Sequence, residues 1–164
     1  MKSLVHSALY FIAGVIAGVA VAITGRGGSG DPSTESSGGA TSGGVPTPLK
    51  MVLVVNQSLK MGKGKIAAQC AHAACGAVES AERTEAGRRN LRSWRNQGQK
   101  KIALSATQDD ILRLERSLRK AGVNCCLIQD AGHTQVAAGS RTVLGVGPDT
   151  ERTIDSFTAS LRLL

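Results

Sequence analysis

Residues 51–55 (MVLVV) are five consecutive apolar side chains, and they set the tightest limit on how this chain can fold. A strand without a polar face needs cover on both sides. The segments that follow supply it. A loop over residues 60–65 leads into a helix over residues 63–83, and a very basic second helix over residues 85–97 stops at Gly98. Residues 101–105 (KIALS) read as the second strand. Thr107, with Asp110 three residues on, has the form of a capping box. The helix it starts carries Ile111, Leu112, Leu114 and Leu118, and Gly122 ends it. Residues 124–129 (NCCLIQ) and 142–146 give two more strands. A last helix starts near Asp149 and buries Ile154, Phe157 and Leu161. Strand and helix alternate, which predicts an α/β layer fold with a four-stranded, mainly parallel sheet flanked by helices.

Ahead of this domain, residues 4–24 form one uncharged run. As a helix it would rise about 30 Å, enough to cross a hydrocarbon core. Gly14 and Gly18 make a G-x-x-x-G within it, a weak signal for helix association. A cleaved signal peptide is the rival, but the run is longer than the usual apolar region of one, which favours an anchor. Lys2 and Arg26 flank it with one positive charge each, so charge does not orient it. Residues 25–48, rich in Gly, Ser, Thr and Pro, read as a flexible linker reaching roughly 25–30 Å. The expected organisation is anchor 4–24, linker 25–48 and folded domain 49–164.

The net charge is +8, and all of it falls in residues 49–164. Such a field favours polyanions, RNA or anionic membrane. The folded part has only Trp94 and Phe157 as aromatics, which excludes recognition by rows of stacked bases. Contacts to nucleic acid would then be to phosphate and sugar. Cys70, Cys75, Cys125 and Cys126 have neither zinc spacing nor a disulfide framework, and neighbouring Cys125 and Cys126 would face opposite sides of a strand. They read as reduced thiols in a reducing compartment.

Three segments carry polar chemistry. Residues 59–76 (LKMGKGKIAAQCAHAACG) alternate glycine and lysine before a helix, an arrangement suited to an anion, although it is no Walker loop. On the helix Lys65, Gln69 and His72 share a face, and the alanine-rich side (Ala67, Ala71, Ala74, Ala77, Ala81) is expected to pack on the sheet. Residues 129–135 (QDAGHTQ) follow the third strand directly, so Asp130 would stand beyond a strand's carboxyl end, where open sheets bind ligands. A plain turn would use the same residue types. Residues 139–148 (GSRTVLGVGP) place Arg141 and Thr142 at the entry of the last strand.

Together these strings resemble the type 2 peptidyl-tRNA hydrolases of archaea and eukaryotes, in the family's order and over all of residues 49–164. The resemblance implies a mixed four-stranded sheet flanked by helices and hydrolysis of the ester between a peptide and the 3′ end of tRNA. It implies no metal and no organic cofactor. It maps the family's catalytic positions onto Lys65, Gln69, Asp130, Thr134 and Thr142. Lys60, Lys63, Arg88, Arg92, His133 and Arg141 are expected to bind substrate, with Arg89 and Arg95 as further basic candidates. The chain departs from the family at His133, where Arg is usual, and at Ala138, where Pro is usual; His133 gives a weaker phosphate contact.

In the expected chemistry Asp130 orients or deprotonates water, and Lys65 stabilises the oxyanion or keeps Asp130 charged. Gln69, Thr134 and Thr142 position the reacting groups. The sequence holds no Ser-His-Asp or Cys-His set for a covalent route. By the resemblance, the expected location is the mitochondrial outer membrane, facing the cytosol. The expected partners are peptidyl-tRNA and that membrane; a second copy of the chain and proteins of the mitochondrial surface are further candidates. Rival functions are a cell-death adaptor at the mitochondrial surface and a generic RNA-binding or anionic-lipid-binding module.

Overall fold

A computed structural model describes residues 47–132 and 135–164. The expected anchor 4–24, nearly all of the linker, and His133 and Thr134 lie outside the described residues. Among those described, no helix is long and apolar enough to cross a membrane. The linker's last two residues belong with the domain. The Thr47 carbonyl accepts from Gln97 Nε2 at 3.1 Å and the Pro48 carbonyl from the Glu151 N–H at 2.9 Å.

The elements run β1 (Leu49–Asn56), α1 (Lys63–Glu82), α2 (Glu85–Asn96), β2 (Lys101–Ala106), α3 (Gln108–Lys120), β3 (Cys125–Gln129), β4 (Arg141–Thr150), α4 (Glu151–Thr158) and β5 (Arg162–Leu163). A single 3-10 turn, Gln57–Leu59, links β1 to α1. The sheet has five strands in the order β3-β4-β1-β2-β5. Every residue of β1 is buried, as its apolar run requires. The strand nevertheless starts two residues earlier than that run, at Leu49, and includes Lys50. Lys50 is tolerated because its ammonium pairs with Asp155 of α4 at 2.5 Å.

Successive side chains of β1 feed two cores. Met51, Leu53 and Val55 pack with Ala73, Ala77, Leu91 and Trp94 on the α1/α2 side. Val52 and Val54 pack with Ile111, Leu118 and Ile154 on the α3/α4 side. The sheet is thus covered by α1 and α2 on one face and by α3 and α4 on the other. Cys125 joins the second core and Cys126 packs against the first, on opposite faces of β3. Trp94 is buried and its indole N–H donates to the Lys100 carbonyl at 3.0 Å, so it is a core residue and no stacking platform.

The expectation of a mainly parallel, four-stranded sheet is corrected. Only β1 and β2 pair in parallel; β1–β4, β3–β4 and β2–β5 are antiparallel. The described residues of the 130–140 connection between β3 and β4 form no helix. A connection that short folds β4 back beside β3, whereas a parallel return needs a longer crossover. β4 then lies between β3 and β1. β5 was not expected; it is two residues long, too short for any pattern to declare it. Asn124 precedes β3 instead of opening it, and its side-chain amide donates to the carbonyls of Ala77 and Gly147 at 2.8 and 2.6 Å.

Thr107 caps α3 as expected, its hydroxyl accepting from the Asp110 N–H at 3.2 Å. On α1 the sheet-facing stripe differs from expectation. Gln69, Ala73, Ala77 and Ala81 are buried, while Ala67 and Ala71 are exposed. The stripe that packs on the sheet therefore starts with a site residue. Gly145 of β4 makes this packing possible, since a Cβ there would stand 2.7 Å from the Ala73 carbonyl oxygen and 3.2 Å from Ala77 Cβ.

Candidate active site

The polar cluster sits where β1 and β3 end and β4 begins. Asn56, the last residue of β1, donates from its side-chain amide to the Arg141 carbonyl at 2.8 Å and accepts from the Ser58 N–H at 3.0 Å. It joins the end of β1 to the start of β4 and turns the chain toward α1. Pattern reading missed it, because an Asn after an apolar run looks like an ordinary turn residue.

Asp130 follows β3 at once. Its N–H donates to the Ser140 carbonyl at 2.9 Å and its carbonyl accepts from the Gly139 N–H at 2.7 Å, which closes the loop at its base. Asp130 Oδ1 accepts from the Gly132 N–H at 2.8 Å. Gly132 has φ +84°, and a Cβ there would meet the Ala138 backbone N at 2.6 Å, so the turn under Asp130 admits only glycine.

Two residues of α1 meet this carboxylate, and a residue of β4 backs one of them. Lys65, in the first turn of α1, places its ammonium 2.7 Å from Asp130 Oδ2, with both side chains at least nine-tenths buried. Gln69, one turn on, donates from Nε2 to the same oxygen at 2.9 Å. The carboxylate can only accept from an amide, which fixes Gln69 Oε1 on the other side. There it accepts from the hydroxyl of Thr142, which is fully buried on β4. Lys65–Asp130–Gln69–Thr142 is one connected network spanning α1, β3 and β4. Gln135, in the same loop, accepts from the Gly62 N–H at the start of α1 at 2.9 Å and so ties the loop to the helix. Gln135 was quoted in the sequence without a role, since a lone Gln carries no local signal.

The network borders an open cleft of about 620 Å³ between α1 and β3, whose lining includes Gln69, His72, Gln129 and Asp130. His72 is exposed on its wall. Among the described residues no group of three His, Cys, Asp or Glu is placed to hold a metal. Of the expected substrate-binding residues, Lys60 and Lys63 are exposed just before and at the start of α1, and Arg141 opens β4 beside Gln129. Arg88 and Arg92 are exposed on α2, away from this end. Their helix meets the far end of β4, where Asn90 donates to the Pro148 carbonyl at 3.4 Å. That end lies roughly 20–25 Å along the strand from Arg141.

The fold is an α/β domain whose mixed sheet lies between two helical layers, with a buried lysine–carboxylate pair bordering a cleft at one end. Residues 49–164 match the family described as peptidyl-tRNA hydrolase PTH2, and the chain belongs to that family. A "Peptidyl-tRNA hydrolase" of Methanothermobacter thermautotrophicus is 45% identical over 71% of this chain and 100% of its own. A "Probable peptidyl-tRNA hydrolase 2" of Drosophila melanogaster is 46% identical over 80% of this chain and 74% of its own. A human "Peptidyl-tRNA hydrolase 2, mitochondrial" is 41% identical over 79% of this chain and 72% of its own.

Proposed function

We infer that this chain hydrolyses the ester joining peptide to tRNA in peptidyl-tRNA, releasing both and recycling tRNA lost from stalled ribosomes. Family membership supports the reaction. The observation that carries the site is the meeting of Lys65 and Asp130 at 2.7 Å on the border of the cleft.

In this reading Asp130 orients a water in the cleft and takes its proton as the water oxygen attacks the ester carbonyl. Lys65 offsets the negative charge that develops on the carbonyl oxygen. The bond to the ribose oxygen then breaks, and that oxygen takes up a proton as tRNA leaves. Gln69 and Thr142 act through Asp130 as positioning residues, since their hydrogen bonds run to the carboxylate and to each other. Thr134 stays a proposed member of the site on the resemblance alone. Lys60, Lys63 and Arg141 take the tRNA phosphates near the ester, and Arg88 and Arg92 serve a more distant part of so large a substrate.

Turnover of purified peptidyl-tRNA is the test. Wild type should release peptide, and Asp130→Asn should lower kcat by about 100-fold or more while the protein keeps its circular dichroism spectrum. Full turnover in Asp130→Asn would remove the carboxylate from the mechanism. We also read residues 4–24 as an anchor that holds the domain at a membrane. Their length and lack of charge support this, and relatives from mouse and human carry "mitochondrial" in their names. Fractionation of cells expressing the full chain and a variant lacking residues 1–24 checks it: only the full chain should pellet with membranes.

A further inference from the structure

The cleft continues past Asp130, along α1 through His72, Cys75 and Glu79 and along β3 through Cys126 and Ile128. The charge of these walls is unlike that of the chain as a whole. The described lining contains neither Lys nor Arg, and its carboxylates are Asp130 and Glu79, although the chain carries +8. A polyanion gains nothing against such a wall. Lys60 and Lys63 precede Lys65 at the N-terminal end of α1, on the other side of Asp130 from this groove, while Arg83, past Glu79 at the C-terminal end of the helix, lines a neighbouring pocket with Arg119.

The scissile ester has two arms of different chemistry, one a polyanion and the other a polypeptide. We propose that the groove between α1 and β3 seats the peptide arm, running from Asp130 toward Glu79, while the tRNA arm lies over Lys60, Lys63 and Arg141. This rests on the hydrolase reading above. The backbone of β3 suits the role. Among the described strands it is at the edge, paired only with β4, so alternate residues turn their N–H and C=O groups outward. Main-chain bonds of that kind hold a peptide whatever its sequence, as a substrate drawn from any message requires. The rise of α1 from Gln69 to Glu79 is about 15 Å. An extended peptide advances about 3.3 Å per residue, so the groove takes about four or five residues. Glu79 then faces the α-ammonium of a peptide of that length.

The full-length protein is assayed on peptidyl-tRNAs bearing one to six residues, with free or acetylated amino termini. In wild type, kcat/KM should rise with peptide length and level off at about four or five residues. Cys75→Trp, which fills the groove from α1, should lower the ratio of kcat/KM for pentapeptidyl-tRNA over N-acetyl-aminoacyl-tRNA by about tenfold. Glu79→Lys should lower the preference for a free over an acetylated amino terminus by about threefold. Glu79 is exposed, so this variant keeps the test open if the tryptophan variant does not fold. Turnover with both ratios as in wild type overturns the groove assignment alone. A wild-type protein inactive on every substrate overturns the hydrolase reading and the groove assignment with it.

Discussion

Thr142 is fully buried, and its hydroxyl gives its proton to the Gln69 amide oxygen, itself out of water. Thr142→Val keeps the shape and leaves that oxygen without a donor, which should cost about 1–3 kcal/mol in a denaturant titration. If Thr142 works through Gln69 on Asp130, kcat should fall with KM nearly unchanged. A rise in KM at constant kcat would place the hydroxyl on the substrate instead. The thiols give a second expectation. Burial pushes Cys70, Cys125 and Cys126 above the ordinary value of 9.0. A raised thiol keeps its proton longer in the folded state than in the unfolded one. Their share of stability is therefore whole below the ordinary value and is lost as pH rises from there through the raised ones. Thermal midpoints at pH 7 and pH 10 should show the fall. Cys75, the exposed thiol, should be alkylated first at neutral pH, as peptide mapping would report. At this scale the sequence was informative: Lys65, Gln69, Asp130 and Thr142 were named from it, and they form one network. Asn56 and Gln135 were given no role, because neither residue type carries a local signal and their partners lie 85 and 73 residues away along the chain.

Helix α1 owes its position to the absence of a side chain on the strand below it. Gly145→Ala would set a methyl group 2.7 Å from the Ala73 carbonyl oxygen, in the middle of the stripe that carries Gln69. Overpacking of this kind costs about 1–3 kcal/mol. The helix must also move, taking Lys65 and Gln69 with it. Activity should therefore fall further than the loss of stability explains, which kinetics at a temperature well below the midpoint would show. A cap on α3 gives the contrast. Thr107→Ala should cost about 1 kcal/mol and leave turnover alone, because α3 covers the other face of the sheet. The elements themselves were largely legible, since their boundaries lie in the capping residues and apolar runs. The face of α1 was not: Ala67 and Ala71 look as fit to pack as Ala73 and Ala77, and only contact with β4 selects between them.

Across the folded domain the excess of positive charge is unevenly placed. Cations stand at both ends of α1 and along α2 and α3, while the described lining of the groove beyond Asp130 has none. If Lys60, Lys63 and Arg141 with one or two arginines of α2 meet phosphates, tRNA affinity should fall by about two orders of magnitude between 50 and 200 mM salt. A filter-binding series would show it as a straight line on logarithmic axes, and removing Lys63 should flatten the slope by nearly one. A slope near zero would argue against phosphate contacts altogether.

The order of most strands and helices and the lysine–glycine entry to α1 follow from local chemistry, and the sequence by itself determined them; the site residues came from its resemblance to a family. Strand direction and neighbourhood were settled only in three dimensions. The eleven residues 130–140 are too few for a parallel crossover, so β4 returns antiparallel beside β3, and its other edge pairs with β1. That insertion brings Thr142 beneath Gln69 and sets Asp130 against Lys65. Long-range pairing depends on which surfaces fit together, and no short window of residues contains both surfaces.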